Sequence, residues 1–259
     1  EVEKKAKEVA NLYKAKNAKV VFTDNTSAEI IKYASNSFLA IKLSFVNEIA
    51  AYAESTDANA LEVLHAMGLD KRIGKEFLKP GPGWGGMCFP KDVSALKESA
   101  REKNVPIPLL DAALESNLKA HARIVKKISD ALGGSLKDKN VAVWGLAFKA
   151  NTDDTRESPA LAVIEQIVSR GGNVVAYDPM VTKYDLTGMS LADSAVSAAS
   201  GAHALVVLTE WFEFKSIDAK EILSAMSGNV VVDTRNVFDK KTWEAAGAII
   251  PNSSNTRAV

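Results

Sequence analysis

The only cysteine of the chain, Cys88, lies in the segment Pro80-Gly-Pro-Gly-Trp-Gly-Gly-Met-Cys-Phe-Pro-Lys-Asp92. Four glycines and three prolines within eleven residues permit tight turns and positive φ, which bring main-chain N–H groups close to a ligand. After Pro90, the run from Lys91 to Arg101 reads as a helix. Cys88 is therefore expected just before a helix N-terminus, where the dipole favours a thiolate. The chemistry on offer is nucleophilic attack by sulfur. A lone cysteine is ordinarily a small buried apolar side chain, but a packed core position needs neither the glycine-rich approach nor the Pro-Lys-Asp that follows. Gly81, Gly83 and Gly86 also match G-x-G-x-x-G. That fingerprint needs a strand before it and a helix straight after, whereas Lys79-Pro80 precedes here and Pro90 interrupts.

Other groups must converge on this loop for chemistry to occur. A long helix is expected over 27–54, roughly 40 Å at 1.5 Å per residue, with Ile31, Ala34, Phe38, Ile41, Phe45, Ile49 and Tyr52 at spacings of three and four. Lys32 and Asn36 stand four apart on it and share a face. Thr56 or Asp57 is expected to cap the next helix, which ends at Met67-Gly68. Pro106 and Pro108 open another helix that runs to Ala131 before Gly133-Gly134, with Leu110, Leu114, Leu118 and Ile124 or Val125 inward. From residue 140 the pattern changes to short apolar runs: 140–144, 174–177, 204–208, 230–233 and 248–250. Helical segments alternate with them at 158–170, 193–200 and 219–226, which implies a parallel sheet with crossover helices. Ligands in such sheets bind at the carboxyl ends of the strands. Lys149 and Arg156 bracket a polar loop there, and Ser158-Pro159 makes it end on a helix N-terminus suited to phosphate. Arg235 follows the strand ending in Asp233. Asp178-Pro179 reads as a ribose-binding acid or a turn, with the turn preferred.

The fold class is thus α/β, an all-helical central domain (24–135) followed by a doubly wound, Rossmann-like sheet domain (136–259). Residues 1–23, a helix and then a short strand at 18–23, read as the tail of a missing α/β domain, because a strand needs neighbours. Residues 252–259 read as a loose tail. Thirty-two basic residues balance thirty-two acidic ones, so no global field favours nucleic acid or an anionic membrane. No run approaches a membrane span. One cysteine excludes an internal disulfide, and His65, His121 and His203 form no metal-ligand spacing. A cytoplasmic, metal-free protein is expected.

The segment Gly-Trp-Gly-Gly-Met-Cys-Phe-Pro-Lys-Asp resembles the catalytic cysteine segment of the UDP-glucose 6-dehydrogenase family. Thr26 to Asn36, Lys71-Arg-Ile-Gly-Lys-Glu-Phe-Leu78, Phe148 to Ser158 and Asp233-Thr-Arg235 fall in that family's order and spacing. Trp84 stands where Phe is usual and Met87 where Ser is common. The resemblance implies an NAD-dependent four-electron oxidation of UDP-glucose to UDP-glucuronate, through a thiohemiacetal and then a thioester on Cys88. It implies that Lys32 and Asn36 stabilise the oxyanion and position water, with Asp92 completing the cluster. Phe77, Leu78 and the Gly83 loop would cradle the substrate, Lys149 and Arg235 would hold the UDP-sugar, and Arg156 would touch NAD. Arg72 would reach the substrate of a neighbouring subunit, which implies a homodimer across the long helix. The NAD-binding domain would lie upstream, leaving this chain inactive alone. GDP-mannose dehydrogenase is the near alternative, and a non-catalytic nucleotide-sugar-binding or oligomerisation module the more distant one. A cysteine hydrolase lacks a histidine in any recognisable partner motif.

Overall fold

A computed structural model describes residues 2–13 and 19–251. Helix α1 (Val2–Tyr13) precedes a long α2 (Asn25–Ser55). Residues 19–23 of the strand expected at 18–23 form none, because no strand among the described residues lies beside them to pair with their backbone. Ala18 and residues 252–259 lie outside the described residues.

The start of α2 is fixed by Asp24, whose Oδ1 accepts the Ser27 N–H at 2.9 Å. No Gly or Pro interrupts its 31 residues, so it extends about 46 Å. Helix α3 (Ala60–Met67) is capped by Asn59, not by Thr56 or Asp57. Asp57 instead turns the chain with φ 58°, while the Asn59 side chain accepts from Leu61 and Glu62. Helix α4 (Cys88–Glu102) begins three residues earlier than expected, so Cys88 belongs to its first turn. Pro90 fits there because the first-turn N–H groups have no intrahelical acceptor. Helix α5 (Pro108–Ala131) runs as expected, and Gly133 and Gly134 leave it at φ 88° and 91°.

Ala40 of α2, Trp84 of the glycine-rich loop, Val93 of α4 and Leu110 of α5 form one small core. Leu118 is not inward as expected but 65% exposed. The inner face of α5 turns there to Asn117, Ala120 and His121.

The second half is a five-stranded, all-parallel sheet: β1 (Asn140–Trp144), β2 (Asn173–Tyr177), β3 (Met189–Leu191), β4 (Ala204–Val207) and β5 (Val230–Asp233), ordered β3-β2-β1-β4-β5. Helices α6 (Pro159–Ser169), α7 (Ala195–Ala199), α8 (Ala219–Ala225) and α9 (Lys240–Ala245) connect or flank the strands. Strand β3 escaped the sequence reading because three residues give no apolar run. Residues 248–250 contribute a single bridge, Val230 to Ile249, instead of a strand. Ile124, Val125 and Ile128 of α5 enter the same core as Val141, Val143 and Leu205, so the end of α5 packs into the sheet while the rest of the helical half keeps smaller clusters of its own. Sequence order reverses between β1 and β4, which puts the ligand crevice of this architecture over residues 145–158 and 208–210. No helix among the described residues is long and apolar enough to cross a membrane.

Candidate active site

The glycine-rich loop is clamped from three sides. From α2, Asn47 Oδ1 accepts the Gly81 N–H at 2.9 Å, and the Trp84 indole N–H donates to Ser44 Oγ at 2.9 Å. From α5, Asn117 pairs with the Trp84 main chain in both directions, accepting its N–H at 2.8 Å and donating to its carbonyl at 2.9 Å. From the sheet, the Glu157 carbonyl accepts the Gly86 N–H at 3.2 Å. A Cβ on Gly85 would fall 1.9 Å from that same carbonyl oxygen, and one on Gly86 2.7 Å from the Phe148 ring. Only glycine lets the loops meet at such range. The N-terminus of α6, expected to stand open for phosphate, is therefore covered by the loop; its Ser158 Oγ bonds Leu146 and Ala160 of its own chain.

The loop delivers an exposed Cys88 to the first turn of α4. One turn on, Asp92 is buried and collects three donors. Asn36 Nδ2 donates at 2.6 Å, Lys32 Nζ lies 3.4 Å away, and Lys91 Nζ makes a short contact. Burial acts to raise the Asp92 pKa, but the bonds from Lys91, Asn36 and Lys32 outweigh it and hold the carboxyl below its usual range. Asp92 is thus the hub that orients two α2 side chains toward the cysteine's helix. Lys91 was missed in the sequence as a member of this group. Its signal was adjacency to Asp92 in Pro-Lys-Asp; its ammonium also stands 5.9 Å from the Tyr33 ring centre. The hydrogen bond to Asp92 raises its pKa.

The remaining expected residues fall at different depths. Phe77 is at φ 58° and partly exposed, and Leu78 is buried against Val46 and Leu64. Gly83 (φ 135°) passes His121 and Asn117 so closely that a Cβ would lie 2.6 Å and 2.7 Å from their side-chain atoms. Lys149 is exposed, its ammonium 5.3 Å from the Phe148 ring centre. Arg235 is mostly buried beside Gly81. Its Nε donates to Leu208 O at 2.9 Å and faces Glu210 at 3.1 Å. Burial lowers its pKa, opposed by Glu210 and Asp233. Arg156 is forked onto Asp154, and that hydrogen bond raises the guanidinium pKa. Arg72 is forked onto Asp70, with its side chain 89% exposed.

Two models of one family match this chain: the central domain of the UDP-glucose/GDP-mannose dehydrogenase family over residues 26–119, and its UDP binding domain over 142–240. The chain belongs to the UDP-glucose/GDP-mannose dehydrogenase family. It is 41% identical over 234 residues to a UDP-glucose 6-dehydrogenase of Rickettsia conorii, covering 88% of this chain and 54% of that protein. It is 38% identical over 245 residues to UDP-glucose 6-dehydrogenase TuaD of Bacillus subtilis, covering 93% and 53%. A solved UDP-glucose dehydrogenase from Pyrobaculum islandicum superposes with a TM-score of 0.80 at 31% identity, covering 93% of this chain and 57% of that one. The chain spans about half the length of the curated relatives it matches.

NAD is the cofactor the family implies, and the parallel sheet here does not fit it. Asp178, at the ribose-binding position after β2, spends its carboxylate on five internal donors: the N–H groups of Leu146, Ala147, Met180 and Val181, and the Trp211 indole. This favours the structural turn over the ribose acid. The turn after β1 is equally closed, because a Cβ on Gly145 would lie 2.3 Å from Thr209. Arg156, the residue that the resemblance places against NAD, has its side chain 63% exposed.

His121 also escaped the sequence reading as part of the site. It is buried against Gly83, neither ring nitrogen has a hydrogen-bond partner among the described residues, and desolvation pushes its pKa down to about 4. An unfolded histidine titrates near 6.5. Between about pH 6.5 and 4 the unfolded chain takes a proton that the folded one refuses, so stability falls with pH across that window and levels off below it. The full difference is about 3 kcal/mol. Urea unfolding from pH 7 to 4 should show this slope, and His121→Leu should flatten it. An unchanged slope in the variant would count against a neutral buried imidazole.

Proposed function

We propose that this chain is the substrate-handling part of a dehydrogenase that oxidises C6 of UDP-glucose to the carboxylate, with Cys88 as covalent nucleophile. The supporting observation is the group that closes around α4: exposed Cys88 in the first turn, and Asp92 one turn later binding Lys32, Asn36 and Lys91. The thiolate adds to a C6 aldehyde to give a thiohemiacetal alkoxide, and the Lys32 ammonium and Asn36 amide offset that developing charge. Each of the two oxidations would need a hydride acceptor, which is the chemistry NAD would supply. Water then attacks the thioester, the C–S bond breaks, and the thiolate and the acid are released. Asp92 holds the two donors in place. Phe77, Leu78 and the Gly83 loop bound the sugar, while Lys149 and Arg235 meet the diphosphate from the sheet. In this reading residues 24–135 and 136–259 act as two domains closing on the substrate. The free thiol suits a reducing compartment, so the cytoplasm belongs to the same proposal.

The reading extends to a homodimer through α2. Ile31, Phe38, Phe45 and Tyr52, seven apart, are 53%, 65%, 48% and 68% exposed and make one apolar stripe along the helix. A second copy of this chain is the occupant that fits, since the same stripe on two copies can meet face to face about a two-fold axis. Arg72, exposed and bonded to Asp70, would then reach a neighbour's substrate. Light scattering at the mass of one chain would remove this part.

Calorimetry tests the whole reading. The purified chain should bind UDP-glucose more tightly than GDP-mannose and make no NADH, because its sheet offers no dinucleotide slot. Lys149→Ala should weaken UDP-glucose binding about tenfold, the worth of one charge-assisted bond. A preference for GDP-mannose would shift the substrate assignment. Binding of neither would leave an oligomerisation module.

A further inference from the structure

Three Asp-x-Arg tripeptides occur at 70–72, 154–156 and 233–235. They share one local turn: Oδ1 of Asp70, Asp154 and Asp233 accepts the N–H of the arginine two residues on at 2.9, 3.0 and 3.0 Å. In the first two the same carboxylate also grips the guanidinium side-on. Arg72 donates from Nε at 3.1 Å and from Nη2 at 2.6 Å; Arg156 donates from Nε at 2.9 Å and from Nη2 at 2.7 Å. The Nε edge of each is thereby filled. Neither Nη1 makes a hydrogen bond among the described residues, and the two side chains are 89% and 63% exposed. The third turn ends otherwise: Arg235 reaches past Asp233 to Leu208 and Phe148 and is 17% exposed.

We propose that Asp70 and Asp154 are positioning residues, each fixing its arginine by the Nε–Nη2 edge so that the outer Nη1–Nη2 edge is presented, ready-aimed, to an oxygen acceptor on a bound ligand. A free arginine side chain samples many rotamers and loses that freedom on binding. Here the turn anchors the carboxylate and the carboxylate anchors the guanidinium, so much of that loss precedes the ligand. Aspartate is required by the geometry. One carboxylate must accept the backbone N–H two residues on and the side chain together, and an extra methylene displaces it from the first of these. The pair has no net charge, so its contribution is one of direction, with little long-range attraction.

Taking UDP-glucose as the ligand of Arg72 rests on the function proposed above. Calorimetric titration of the purified chain with UDP-glucose should show Asp70→Asn and Asp70→Glu weakening binding about three- to tenfold, and Arg72→Ala at least about tenfold. Melting temperatures should stay within about 2 °C, since the pair is a surface one. If Arg72→Ala weakens binding while either Asp70 variant binds as the parent does, or more tightly, the carboxylate is a competitor for the arginine and the positioning role is wrong. If Arg72→Ala has no effect, the substrate contact assigned to Arg72 fails instead. The positioning role is then decided by side-chain 15N NMR. The Nε–H signals of Arg72 and Arg156 should exchange slowly with water in the parent and quickly in Asp70→Asn and Asp154→Asn respectively. Fast exchange already present in the parent would overturn it.

Discussion

In an enzyme that joins this chain to an NAD-binding domain, Cys88→Ser is expected to lower acid formation by at least about a thousandfold while UDP-glucose binding stays within about tenfold. The asymmetry follows from where Cys88 sits. It is exposed at the start of α4 and supports neither the loop nor the Asp92 group, which are held by Asn47, Ser44, Asn117 and Asn36. Removing its sulfur therefore leaves the pocket standing and takes away only the atom proposed to form the covalent bond. A hydroxyl in the same place ionises far less readily, and no histidine stands ready to deprotonate it. Steady-state NADH formation and calorimetry on the same preparation check both halves of the expectation. Retained turnover would remove Cys88 from the chemistry.

Gly85→Ala is expected to do the opposite, damaging the framework before the chemistry. The new methyl group would stand 1.9 Å from the Glu157 carbonyl oxygen and 2.8 Å from Pro159 Cδ. Neither obstacle is the tip of a flexible side chain. The loop and the start of α6 must separate, and such overpacking costs about 3 kcal/mol, which corresponds to a melting point lower by roughly 6–12 °C for a chain of this size. Because Cys88 lies three residues on, turnover in the joined enzyme should also fall about a hundredfold. Gly133→Ala is the matched comparison: its φ is 88° but nothing lies within 4 Å of the added carbon, so only backbone strain of about 1 kcal/mol is at issue. Equal melting points for Gly85→Ala and the parent would mean that the two halves do not meet at this carbonyl.

What the sequence made legible divides along physical lines. Lys32 and Asn36 could be paired because helical spacing alone puts them on one face, and Asp92 joined them through the family resemblance. The parallel sheet was readable from apolar runs such as Val141–Trp144, which are buried on both sides. Features that depend on long-range placement were not readable. Asn117 and His121 sit among apolar neighbours on α5, and nothing in their spacing shows that a loop thirty-odd residues earlier will lie against them. The sequence pattern puts the helix start after Pro90, but a proline fits equally well in the third position of a first turn, and the helix begins at Cys88. The periodicity puts Leu118 in the core, but the inward face of α5 at that level is Asn117, Ala120 and His121, which leaves Leu118 on the solvent side. The strand expected before residue 24 failed for a related reason: β propensity is realised only beside another strand.

The closed state of Asp178 bears on how this protein could be re-engineered. Transplanting a dinucleotide fingerprint into the turn after β1 would look straightforward on paper, since a glycine already follows the strand and α6 is the next element. The graft would have to evict a carboxylate that ties β2, the β1 turn and Trp211 together, leaving four amides and an indole to be satisfied anew. The result would be a scaffold that loses its keystone before it gains a guest. Directed evolution toward a self-sufficient, single-sheet oxidoreductase should therefore first find a replacement for those five hydrogen bonds.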